Sequence, residues 1–175
     1  KDEDSGGSGE RFLLDAGALA LTPLTILLQG HQFGLGNHAP LISFMRRAEN
    51  PGWLISDWMM STPPIHPHLV EFLEFFAFYL GENLTFLVVH FLTRLFLLMG
   101  VWRLAEALLP GRYVVAFLAM AAAFLEPRFE LGFHFLQGGH WEPAFLGMAF
   151  AVWIGAVGIR YAMGRNHWTA LAVVG

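Results

Sequence analysis

Cysteine is absent from the chain, which excludes disulfides, thiolate zinc sites and a cysteine nucleophile. Charge is scarce too. Asp, Glu, Lys and Arg make up 14% of the residues, where a soluble domain ordinarily carries about 25%. No basic run and no basic patch with interleaved aromatics occurs, so no nucleic-acid partner is implied. The formal net charge of -4 owes part of its value to the acidic head KDED. Walker, GxGxxG and nucleophile-elbow motifs are missing, which makes a nucleotide-driven pump or an α/β-hydrolase implausible.

What remains is apolar: 55% of the residues are hydrophobic, and they fall in long runs. The fold class this implies is all-α, a polytopic transmembrane helical protein. A hydrocarbon core of about 30 Å needs roughly 17 to 25 apolar residues to cross it. Stretches 12–29, 83–109, 113–125 and 143–163 are the candidate spans, and a further one starts at 167–175, so four to five spans are expected. Residues 1–11, with SGGSGE, read as a flexible tail. A cleaved signal peptide is the competing reading for 12–29, but the apolar run is too long and no A-x-A-like site follows. The chain starts at Lys1 and stops inside an apolar stretch at Gly175, which reads as the N-terminal fragment of a longer protein.

Positive charge is retained on the cytoplasmic side of a membrane. With the N-terminus inside, Lys1, Arg11, Arg103, Arg112, Arg160 and Arg165 form the inner set and Arg46, Arg47 and Arg128 the outer set. The bias favours N-in and places loops 30–82 and 126–142 together on the outer face.

Within the first outer loop, Pro40 suits the first turn of a helix capped by Asn37 or His38, with Leu41, Ile42, Phe44 and Met45 on its apolar side. Asn50, Pro51 and Gly52 make a turn. After Pro63 and Pro64, stretch 67–80 sets His68, Glu71 and Glu74 three apart on a surface rich in Phe72, Phe75, Phe76 and Tyr79, as a helix lying in the membrane interface would. The lone Asp57 sits between these two helices, where it either performs chemistry or simply caps the helix containing Trp58.

Arg94 lies roughly 16 Å from the outer end of the second long span at 1.5 Å per residue. An ionised group there costs on the order of 2.5 to 3.5 kcal/mol unless it is partnered. His90 is one turn away on the same face. Structural pairing with a carboxylate such as Asp15 ranks first; binding of a lipid phosphate by His90 and Arg94 ranks second.

The second outer loop, EPRFELGFHFLQGGHWEP, adds Arg128, His140 and Glu142 around the turn-forming Gly138 and Gly139. Glu142 reads as a second acidic group or as a partner for sugar hydroxyls, and Trp141 suits the interface. Most histidines lie in or beside these loops, but none shows an H-E-x-x-H or comparable helical spacing, so no metal ligand is assigned.

A first span, a long outer loop with two interfacial helices and an acidic residue between them, then densely packed spans: this order resembles the C-superfamily of membrane glycosyltransferases that use polyprenyl-phosphate sugars. QFGLGNHAPLISFMRRAENPGWLISDWM, with the span ending VWRLAEALLPGR, is similar to the N-terminal part of uncharacterised bacterial multi-span proteins related to that superfamily.

The resemblance implies a multi-pass protein of the bacterial inner membrane. It would transfer a sugar from a polyprenyl-phosphate donor to an acceptor hydroxyl on the extracytoplasmic side, with inversion. Asp57 then matches the general base, although many members carry a paired acidic motif where Asp57 is flanked by Ser56 and Trp58. Asn37, His38, His90, Arg94, Arg128, His140 and Glu142 become candidate substrate-binding residues. Some such transferases use a divalent ion, which leaves Asp57 with a neighbouring His open as a metal site. The alternative is a non-enzymatic membrane protein, a transporter or an assembly subunit, whose intramembrane ionisable residues line a substrate path.

Overall fold

A computed structural model of the chain describes residues 5–29, 31, 33, 38–54, 56–57, 64, 67–125 and 143–164. Among them the structure is all-helical, with six helices and no strand: α1 Ser5–Gln29, α2 His38–Glu49, α3 Pro67–Leu80, α4 Glu82–Leu108, α5 Tyr113–Leu125 and α6 Pro143–Ala162. The expected flexible tail is in part the first turns of α1, which starts at Ser5 rather than at residue 12. Each glycine there costs up to about 1 kcal/mol of helix propensity, but extending a formed helix is far cheaper than nucleating one, and the apolar run downstream supplies the nucleus.

Helix α1 tolerates Pro23 in its interior. A proline removes one backbone donor and crowds the preceding turn. Two buried threonines flank it: Thr22 Oγ1 donates to the Ala18 carbonyl at 2.8 Å and Thr25 Oγ1 to the Thr22 carbonyl at 2.6 Å. Both hydroxyls thereby find backbone acceptors inside an apolar helix, while the carbonyl that Pro23 deprives of its donor is that of Leu19, four residues back.

Helix α4 is the hub, with α1, α3, α5 and α6 all packed against it, while α2 rests on α3. Two apolar cores lie along it. The one towards the N-terminal end of α4, the outer end in the N-in expectation, joins Leu41, Ile42 and Met45 of α2, Val70 and Leu73 of α3, and Phe86 of α4. The one towards its C-terminal end, the inner end in that expectation, joins Leu14 and Ala18 of α1, Leu98 and Trp102 of α4, and Ala116 and Met120 of α5. Helix α6 approaches closely at Gly100, where an added Cβ would stand 2.8 Å from Trp153 Cδ1. Trp153 also stacks on Phe96, centroids 5.2 Å apart, and donates its indole N–H to the Phe96 carbonyl at 2.8 Å.

Two helical segments, Gly9–Leu28 and Glu82–Leu108, are long and apolar enough to cross a membrane. Tyr113–Ala123 and Leu146–Ala162 are shorter apolar segments. Among the described residues, two of the four to five spans expected from sequence meet the length criterion. Over the described residues α5 has 13 residues and reaches about 20 Å, short of a hydrocarbon core of about 30 Å. The start of a further span at 167–175 lies outside the described residues.

Large apolar side chains face outward on several helices: Leu27 is 79% exposed, Phe78 80% and Val114 73%. Water-facing helices show a polar face instead.

Candidate functional site: a buried histidine and arginine cluster at the outer end of α4

The polar stripe of α4 runs Asn83, Phe86, His90, Thr93 and Arg94, spaced so that successive turns present them on one side. His90, Thr93 and Arg94 are all buried. Arg94 Nε–H donates to His90 Nε2 at 2.6 Å. The imidazole is therefore the acceptor and carries its proton on Nδ1. An imidazole orients a guanidinium without cancelling its charge.

Asp15, the carboxylate named as a partner for Arg94, is engaged elsewhere. Asp15 instead accepts from Trp102 Nε1 at 3.1 Å and pairs with Arg103 at 3.4 Å, at the other end of α4. The reason is registry. Helices α1 and α4 run antiparallel with Arg11 level with Glu106 and Asp15 level with Trp102 and Arg103, so the carboxylate meets Arg103 and Arg94 lies about two turns further along α4.

One further imidazole, His31, approaches His90 from the segment that follows α1, and His38 at the start of α2 adjoins it. His31 lies with its ring centroid 6.0 Å from His90 and 6.4 Å from His38. His38, fully buried at the first turn of α2, packs on Phe86 at 4.3 Å and near Phe33 at 6.0 Å. His31 is tied to α4 through Nε2 and Asn83 Oδ1 at 3.1 Å, and its Nδ1 is buried with no hydrogen-bond partner among the described residues.

Helix α2 starts at His38 with Pro40 in its first turn, as the sequence predicts, and this start delivers His38 to Phe86. His31 was not singled out as a site residue. The signal that points to it is the match of a histidine just past α1 with the Asn83, Phe86, His90 stripe. Among the described residues no group of three His, Asp or Glu has the arrangement of a metal site.

Asp57 comes from a separate segment, the turn that follows α2. Asn50 N–H bonds the Arg46 carbonyl at 2.8 Å, Trp53 N–H the Asn50 carbonyl at 2.8 Å, and Asp57 N–H the Leu54 carbonyl at 2.9 Å. The Asn50 side chain accepts from Gly52 N–H at 3.1 Å. Leu54 adopts φ of 49°, the left-handed region that a leucine enters at a cost of about 1 kcal/mol or more. The turn is clasped to α4 by Arg46, which donates through Nε and Nη2 to the Glu82 carboxylate at 3.0 and 2.9 Å and lies 5.5 Å from the Trp53 ring centre. That pairing holds the Arg46 guanidinium pKa above its ordinary value. Glu82 opens the turn of α4 whose Asn83 meets His31, so the root of the Asp57 turn is fixed at the same end of α4 as the histidines.

A separate, almost wholly apolar groove of about 800 Å³ is walled by Leu69 and Phe72 of α3, Val89, Leu92 and Phe96 of α4, and Phe150 of α6. Thr93 belongs to its wall, whereas His90 and Arg94 do not.

Of the residues expected at the site, the structure joins His90 directly to Arg94 and brings His38 to the same cluster through His31 and Phe86. Asn37, Arg128, His140 and Glu142 lie outside the described residues, as does the Trp58 helix that Asp57 was offered as capping. No protein-family model, curated protein or solved structure matches the chain.

Proposed function

We propose that the chain is part of a multi-pass inner-membrane transferase that takes a sugar from a polyprenyl-phosphate donor and passes it, with inversion, to an acceptor hydroxyl on the extracytoplasmic side. The observation that carries this reading is the buried Arg94–His90 pair inside Glu82–Leu108, a helix long and apolar enough to cross a membrane. A cation with directed N–H donors in so apolar a setting suits a ligand that is anionic at one end and greasy at the other.

Residue placement supports the orientation. Arg11, Arg103 and Arg160 gather at one end of the bundle and Arg46 at the other, which agrees with an N-terminus on the cytoplasmic side. The outward-facing Leu, Val and Phe side chains support burial in a bilayer. The shorter segments Tyr113–Ala123 and Leu146–Ala162 complete a multi-pass arrangement beside the two long helices.

In the proposed reaction Asp57 takes the proton of the acceptor hydroxyl as its oxygen attacks the anomeric carbon. The bond from that carbon to the lipid phosphate oxygen breaks on the opposite face, and the departing phosphate gains charge. Arg94 and the His38/His90 imidazoles stabilise that charge, and donors of this kind act most strongly in a water-poor site.

The test uses the intact protein with a panel of polyprenyl-phosphate sugars and hydroxyl acceptors. Asp57→Asn is expected to lower transfer by about 10² to 10⁴ while donor binding is unchanged. Equal transfer by the variant and the wild type removes Asp57 from the mechanism. Donor movement across a sealed vesicle without any product would favour the transporter reading instead.

A further inference from the structure

The apolar groove takes no part in the transfer reaction. It follows Val89, Leu92, Phe96 and Met99, whose spacing of three and four sets them on one face of α4. The rise from Val89 to Met99 is about 15 Å at 1.5 Å per residue, half of a hydrocarbon core of about 30 Å. That is the depth of one leaflet. Phe72, Leu92 and Phe150 on its walls are each about half exposed, so the groove opens to the surroundings of the bundle.

One end of the groove is polar. Leu69 of α3 and Val89 of α4 both line it and both pack against the core around Phe86, so α3 flanks the Val89 end. His68 lies on the wall there, with Nδ1 at 3.3 Å from Glu71 Oε2. Both side chains are reachable, being 95% and 72% exposed. Glu74 follows three residues on, along the same side of α3. Since α3 contains neither Lys nor Arg, two carboxylates give this mouth a negative charge whether or not His68 holds a second proton.

Helix α3 also exposes Phe75, Phe78 and Tyr79. Aromatic side chains on a helix of this kind suit the level at which lipid headgroups meet their chains.

We propose that the groove holds one acyl chain of an amine-headed phospholipid, with the ammonium at the Glu71 carboxylate and the chain running from Val89 towards Met99. Charge selects the head. An anionic lipid meets Glu71 and Glu74 with like charge, and a choline head has no N–H to donate to a carboxylate. Apolar area selects the chain, which a soluble amine lacks. The proposal needs α4 in a bilayer and is independent of sugar transfer, since Asp57, His90 and Arg94 do not line the groove.

The experiment reconstitutes the intact protein in phosphatidylcholine with added phosphatidylethanolamine or phosphatidylglycerol, exchanges it into neutral detergent, and measures retained lipid and the thermal midpoint. Wild type is expected to keep phosphatidylethanolamine in preference to the other two. Glu71→Gln changes an exposed side chain and should hold phosphatidylethanolamine about fivefold more weakly, with an unchanged midpoint in phosphatidylcholine. Leu92→Trp fills the groove from a half-exposed position and should lose retained lipid of every head type. The proposal is overturned if wild type holds the three lipids equally, if Glu71→Gln keeps the full preference, or if Leu92→Trp retains as much phosphatidylethanolamine as wild type. It is overturned equally if chain-free glycerophosphoethanolamine displaces the retained lipid, because the ligand is then a soluble amine.

Discussion

The cations that face into the bundle are handled in opposite ways at the two ends of α4. At the inner end Arg11, Arg103 and Arg160 meet the carboxylates of Asp15 and Glu106. At the outer end Arg94 donates to the neutral Nε2 of His90, with His31 and His38 close by. Carboxylate pairing ties helices together: Glu106 alone links α1, α4 and α6. Imidazole pairing orients a guanidinium without itself adding a negative charge. The difference ties cohesion between helices to the inner end, and the proposed anion binding concerns the outer end; each makes its own prediction.

The largest stability effect is expected where the outer site meets the core. Phe86 is fully buried and touches both His38 and Phe33, so Phe86→Ala should cost about 3 to 5 kcal/mol, read as a lowered thermal midpoint in a bilayer mimic. If the loss is confined to donor binding and the midpoint stands, the outer end is less tightly packed than described.

Next comes Glu106→Gln. It leaves two arginines facing a neutral amide, and should lower stability by about 2 to 4 kcal/mol, less than for a fully buried pair because Arg11 is half exposed. Donor binding at the outer end should be unchanged; a parallel loss there would erase the distinction between the ends. Gly100→Ala tests the close approach of α6, since its Cβ would meet Trp153. Overpacking of this size should cost about 1 to 3 kcal/mol, and adding Trp153→Phe should recover part of the loss.

The smallest stability effect is expected from Arg46→Gln, which releases an exposed clasp. The thermal midpoint should barely move. Transfer should fall nonetheless, because the turn carrying Asp57 loses its tie to Glu82, and high salt should reproduce part of the defect in wild type.

Much of the helix pattern was legible because prolines and glycines mark its ends. Pro40, the Asn50-Pro51-Gly52 turn, Pro67, Pro110-Gly111 and Pro143 place the helix boundaries within a residue or two of those observed. Local signals of this kind act through φ restriction and lost donors, which need no tertiary context. The adjacency of His90 and Arg94 was legible for the same reason, being one helical turn.

The partner of Asp15 was not legible, because it depends on how far α1 slides along α4. Nor was the approach of His31 to His90 and of His38 to Phe86, which depends on the chain folding back after α1. The flexible reading of SGGSGE failed because composition describes an isolated segment, whereas this one continues a helix already formed.

The central claim is that the outer end of α4 receives the phosphate of a lipid-linked sugar. The direct measurement is the affinity of the intact protein for a polyprenyl phosphate, compared between wild type and Arg94→Gln at matched thermal midpoints, with dodecyl alcohol as the uncharged competitor. A charge-assisted pair of about 1.5 to 3 kcal/mol predicts that the variant binds at least about tenfold more weakly and that the alcohol does not compete at the head site. Equal affinity of wild type and variant would contradict the account.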